Sequence, residues 1–192
     1  EDDWVVFVDT NPSFSIYTQM AVSAVDKLLT PINADDSSKT AASAMMALLH
    51  GTNPPHPIYG SWTFAEMAKQ QHLSVPRIHL LIGNRLTQFE GPAMAFEALS
   101  DATAAALYNI YCNNPEYFAT ASKSIDSIEE FRDYYSVPLR DFNTAGVVCG
   151  HLGRLLSSMK QGYYNVYSAR VKVNAEKISE CLKAIDEIID RL

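Results

Sequence analysis

The sequence predicts an α/β fold, a mostly parallel sheet with helices on both faces, and three observations lead to it. Short runs that are apolar on both alternating faces, such as Trp4–Val8 and Ile78–Gly83, read as strands buried on both sides. Segments of helical spacing stand between them, which is the order of a parallel sheet covered by its crossover helices. Finally, 192 residues with 47% hydrophobic and 19% charged side chains suffice for a single sizeable core.

The elements follow in chain order. Trp4-Val5-Val6-Phe7-Val8 is expected to be a fully buried strand, broken at Asp9-Thr10-Asn11-Pro12. Residues 16–25 follow as a helix with Ile16, Met20 and Val25 inward, and a second strand spans Asp26–Ile32. The cluster Asp35-Asp36-Ser37-Ser38 supplies helix N-caps ahead of Ala41, Met45, Leu48 and Leu49 at helical spacing, and Gly51 is the expected stop. Three prolines make 51–60 a loop. Residues 63–73 form a short helix with Phe64, Met67 and Ala68 inward. The strand Ile78–Gly83 ends at Asn84-Arg85, and Pro92 opens an alanine-rich helix to about Tyr111. A helix around Ser127–Tyr135 and a short strand over Tyr135–Leu139 follow. Ile178, Leu182, Ile185, Ile189 and Leu192 mark a long amphipathic helix at the end. No repeat, low-complexity tract or linker divides the chain, so residues 1–192 read as one domain or part of one.

The charge is −7 overall but uneven. Residues 1–60 carry seven acids and two lysines, whereas 140–192 carry eight bases and six acids. Arg140, Arg154, Lys160, Arg170 and Lys172 face only Asp141 before Glu176, which makes a local basic patch. A solvated surface beside carboxylates is the plainer explanation of those charges. No apolar run approaches the roughly 18 residues needed to cross a bilayer. The start shows no signal-peptide pattern, although it opens on Glu1 rather than methionine. Cys112, Cys149 and Cys181 lie far apart and suit small hydrophobes in a reducing cytosol, not a disulfide framework or a metal site. The five histidines lack metal-ligand spacing, and His79 reads as a satisfied core or edge residue. Tyr163, Tyr164 and Tyr167, read at helical spacing, are expected to pack against the domain, with stacking on bases as the alternative.

Ligands of open α/β sheets bind beyond the carboxyl ends of the strands, so the residues there carry the functional argument. A carboxylate such as Asp9 suits a Mg²⁺ ion that keeps its waters and sits on phosphates. Val6-Phe7-Val8-Asp9-Thr10-Asn11-Pro12 resembles the Walker B and switch segment of the ParA/MinD family of deviant Walker ATPases. Ala24-Val25-Asp26-Lys27-Leu28-Leu29-Thr30-Pro31-Ile32 resembles the family's next strand, at the usual distance. Asn84-Arg85 is similar to its adenine-recognising segment, and Val137-Pro138-Leu139-Arg140-Asp141 to the loop packed beside the base. The resemblance covers about 4–50, 77–86 and 135–192.

It implies a P-loop NTPase-like fold, incomplete at the amino terminus, and the carboxy-terminal part of a cytoplasmic, nucleoid-associated partitioning ATPase. Asp9, Thr10, Asn11 and Pro12 would be catalytic, with Asp9 holding Mg²⁺ through a water. Asn84, Arg85, Val137, Pro138, Leu139 and Asp141 would bind ATP. Arg154, Lys160, Arg170 and Lys172 would contact DNA non-specifically. The implied partners are a second copy in an ATP-dependent homodimer and a ParB-like centromere-binding protein, with no membrane.

Two departures stand out: Asn11 replaces the usual first proline, and no Gly-x-x-x-x-Gly-Lys-[ST] occurs. Without the phosphate-gripping loop, the chain as it stands is expected not to hydrolyse ATP. Two other readings compete. A MinD-like membrane-cycling ATPase needs a basic carboxy-terminal helix, but Glu180, Asp186, Glu187 and Asp190 outnumber Lys183 and Arg191 there. A non-catalytic domain with a degenerate nucleotide site is the other.

Overall fold

A computed structural model describes residues 4–10, 15–33, 35–51, 64–86 and 92–192. The expected loop at 51–60 and the switch residues Asn11 and Pro12 fall almost wholly outside them. Three strands, β1 (Lys27–Asn33), β2 (Arg77–Leu86) and β3 (Ser136–Arg140), form a parallel sheet in the order β1-β2-β3. The chain is thus α/β, with helices α1 (Ile16–Ser23), α2 (Asp36–His50), α3 (Phe64–Gln70), α4 (Pro92–Asn113), α5 (Ile128–Tyr135), α6 (Asn143–Leu152) and α7 (Ala175–Asp190).

Local chemistry explains where several helices begin and stop. The Asp35 carboxylate accepts the Ser38 N–H at 2.6 Å to cap α2, and Ser127 Oγ accepts the Glu130 N–H at 3.2 Å to cap α5. Gly51 ends α2 at φ 72°, a left-handed conformation that costs a side-chain-bearing residue about 1–2 kcal/mol.

Helices cover both faces of the sheet. On one face, Met46 of α2, Leu107 of α4 and Phe131 and Tyr135 of α5 pack with Ile78, Leu81 and Phe118 in the main core. The rings of Phe118, Phe131, Tyr135 and Tyr111 lie 5.1–5.7 Å apart, mostly tilted or edge-on, as aromatic quadrupoles prefer. On the other face, Ile188 of α7 packs against Leu80 and Val137.

A bulge decides which β2 residue meets which face. Leu28 and Leu29 pair with Ile78 and Leu80, so His79 is an extra residue in the ladder. Consequently His79 and Leu80 both turn toward α7, while Ile78 joins the opposite core with Leu81. His79 Nε2 lies 2.5 Å from the Arg191 carbonyl, although its Nδ1 is buried without a hydrogen-bond partner. The expectation of a satisfied histidine is therefore half met.

Six expectations are corrected. Trp4–Val8 is not a buried strand: residues 4–10 belong to no sheet, and those five side chains are 48–87% exposed. Among the described residues no strand pairs with this run, and its apolar side chains are left without a covering layer. In α1 the buried positions are Thr18 and Val22, and Ile16 and Met20 point outward. In α2, Leu49 is buried as expected, but Ala42 and Met46 are buried one residue on from Ala41 and Met45, and Met67 of α3 is exposed. In α7, Ile178 is buried as expected together with Cys181, but toward the end of the helix Ile188 is buried instead of Ile189. Finally, residues 162–173 are not helical. They form an antiparallel ribbon of β4 (Gly162–Val166) and β5 (Ala169–Val173), and the tyrosines sit on it.

Candidate functional site

The carboxyl ends of the three parallel strands form one rim, because parallel strands deliver their ends to the same edge. Asn33 is level with Asn84, and Gly83 is level with Pro138. Two of the sequence-predicted positions, Asn84 and Pro138, therefore stand on neighbouring strands at that rim. β2 runs on through Leu86, so Asn84 and Arg85 lie within the last part of the strand and not in a turn beyond it.

A cavity of about 240 Å³ opens there, lined by Asn33, Gly83, Val137 and Pro138 from the strands and by Thr103 and Arg132 from α4 and α5. It is smaller than the roughly 300–1,000 Å³ of sites that enclose a drug-sized ligand. A single ring system fits this volume, while a sugar and phosphates would have to lie outside it. Val137 is fully buried, Leu139 half-buried and Pro138 exposed, so the strand presents only part of its length to a ligand. The Asp141 carboxylate accepts the Asn143 N–H at 2.9 Å, and the Asp141 carbonyl accepts the Asn143 amide at 2.8 Å, which holds the entrance to α6.

Sequence reasoning missed Thr103, Asp101 and Arg132. Thr103 is a fully buried hydroxyl residue in an alanine-rich helix, four residues before the core residue Leu107, and that spacing was the available signal. Arg132 donates to Asp101 at 2.5 Å, tying α5 to α4 beside the cavity mouth.

Asp9 and Thr10 are exposed and do not line this cavity. Residues 4–8 and Thr10 border a separate space of about 540 Å³ with Asp26–Leu29, at the start of β1 rather than its carboxyl end. The structure thus gathers the Asn84 and Pro138 positions but not Asp9 with them. Among the described residues, no group of three His, Cys, Asp or Glu side chains comes together to hold a metal. Cys112 is exposed, Cys149 half-buried and Cys181 buried, and among the described residues none of them forms a disulfide.

The predicted DNA contacts Arg154, Lys160, Arg170 and Lys172 are all exposed, on or near the β4–β5 ribbon. Cross-strand pairing sets Tyr163 opposite Lys172 and Asn165 opposite Arg170, and all four lie on one exposed face. The Arg170 guanidinium lies 4.5 Å from the Tyr163 ring centroid. Tyr164, Val166, Val171 and Val173 form the other face and pack on Val148 and Ile178. Tyr164 alone thus meets the expectation of a packed tyrosine. Tyr163 and Tyr167 are 60% and 86% exposed.

No helix among the described residues is long and apolar enough to cross a membrane. No family model matches the chain, and no curated protein or solved structure matches it.

Proposed function

We propose that the chain is the carboxy-terminal part of a ParA-like, P-loop NTPase-like ATPase of plasmid or chromosome partitioning. The observation that supports this most is the register that sets Asn84 and Pro138 on adjacent strand ends above a ring-sized cavity. An amide can donate and accept at once, which suits the N6/N7 edge of adenine, and apolar walls such as Val137 suit the ring faces. In this reading ATP supplies the phosphoryl group and Mg²⁺ neutralises its charge. The residues present fit the base better than the phosphates, since the chain carries no Gly-x-x-x-x-Gly-Lys-[ST] loop. Asp9 would meet Mg²⁺ through a water. The exposed bases of the ribbon would contact DNA, a second copy would complete the ATP-bound form, and a ParB-like protein would be the partner. The cellular place is the cytoplasm, on the nucleoid.

A MinD-like membrane cycle draws no support from α7. Arg191 donates to the carbonyls of Asp133, Tyr134 and Ser136 and to Glu187, which fastens the end of α7 to the body of the protein. A non-catalytic domain is the second reading, favoured by the absence of Asp9 and Thr10 from the lining of the rim cavity. Calorimetric titration with ATP, ADP and GTP separates the two. Adenine nucleotides binding at least several-fold more tightly than GTP, with the preference lost in Asn84→Ala, is the expected result. No binding, or a preference untouched by Asn84→Ala, removes the ATPase proposal.

A further inference from the structure

From Phe142 to Ala175 the chain carries no acidic residue, in a protein whose net charge is −7. That stretch includes the whole β4–β5 ribbon, one face of which is held by the core while the other is bare. The bare face carries a guanidinium, an ammonium, a phenol and a carboxamide in two cross-strand pairs. The Tyr163 contact holds the Arg170 fork in one orientation, so less side-chain freedom is lost when it meets a planar acceptor. Tyr167 heads the ribbon turn at φ 52°, a left-handed conformation uncommon for a residue with a side chain, and stands 86% exposed with its ring 4.8 Å from that of His151.

We infer that this face of the β4–β5 ribbon enters the major groove of duplex DNA and that Asn165 and Arg170 touch base edges. A two-stranded ribbon is one of the two elements the roughly 12 Å wide major groove admits. The two side chains are the types that pair with purines there, Asn with adenine N6/N7 and Arg with guanine O6/N7. Lys160 and Lys172 remain for phosphates, which position the ribbon without reading sequence. This rests on the proposed DNA binding and goes beyond it, since phosphate contacts alone would be indifferent to sequence.

The test uses the full chain against a pool of randomised duplexes, with affinities then measured by fluorescence anisotropy at several salt concentrations. Selected duplexes are expected to share a short motif with an A·T pair and a G·C pair at fixed spacing and to bind about tenfold more tightly than the starting pool. Asn165→Ala is expected to lose the adenine preference. Arg170→Lys is expected to lose the guanine preference while keeping the salt dependence, because the charge stays and the fork goes. Both positions are exposed, and an unchanged unfolding midpoint checks that the variants fold. Salt-dependent binding without any selected motif, or a motif unchanged in both variants, overturns this inference and leaves non-specific DNA binding standing. No salt-dependent binding overturns both. Tighter binding to single strands overturns it in favour of bases stacking on Tyr163 and Tyr167.

Discussion

Replacing His50 by Phe should flatten the stability of the protein in mildly acidic solution. His50 ends α2, where the helix dipole by itself would favour a charged ring. Burial outweighs it and lowers the pKa from the usual 6.5 to about 4, with Glu116 pulling weakly the other way. The ring stacks on Tyr117 at 4.0 Å and 10°, and its Nε2 is buried without a hydrogen-bond partner. The unfolded chain therefore takes up a proton that the folded chain refuses. Stability contributed by the neutral ring is complete above pH 6.5 and falls as the pH drops toward 4. At face value that shift is worth about 3 kcal/mol. The ring keeps enough contact with solvent for screening to reduce this, and we expect about 1–2 kcal/mol. Phe keeps the stack and removes the titration. Urea unfolding at pH 7, 6, 5 and 4.5 would measure it, with the wild type losing about 1–2 kcal/mol more than His50→Phe across that range. Carboxylates titrate in both proteins and cancel. Parallel pH profiles would refute the reasoning.

Other outcomes follow from packing and capping. Phe131→Ala removes a fully buried ring touching Tyr111, Phe118 and Tyr135 and should cost about 3–5 kcal/mol in chemical denaturation. Asp35→Ala loses the cap of α2 and should cost about 1 kcal/mol, which Asp35→Asn should largely restore. Gly51→Ala should cost about 1 kcal/mol from its positive φ alone, since the nearest atom to an added Cβ, that of Ala65, would lie at an ordinary 3.6 Å.

Much of the frame was legible because local chemistry announces it. Asp35, Gly51 and Ser127 act where their side chains, or the lack of one, meet specific backbone needs, and both ends of α2 and the start of α5 follow. The parallel strands were legible as apolar runs between helices. What was not legible depends on neighbours. The bulge at His79 exists only relative to the register of β1, and no property of Ile78 or Leu80 reveals that they face opposite ways. The inward face of α2 is shared between two clusters, with Met45 half-buried between them, which turns the helix away from its simplest periodicity. The ribbon was hidden because its turn, Tyr167-Ser168, lacks the Asn-Gly or Asp-Gly signal and because Tyr163, Tyr164 and Tyr167 also fit a helix. Trp4–Val8 shows the reverse case: a strong strand pattern that pairs with no strand among the described residues.

The site divides in the same way. Asn84 and Pro138 were placed together by strand-end logic, whereas Thr103 and Arg132 come from helices whose tilt over the sheet no local pattern encodes. The most direct measurement is an adenosine titration of the chain labelled for NMR. The account predicts that shifts concentrate on the Asn84 side-chain amide, Gly83, Val137 and Leu139, with guanosine weaker at the same sites. Shifts confined to the ribbon or to residues 4–10, or none at millimolar adenosine, would contradict it.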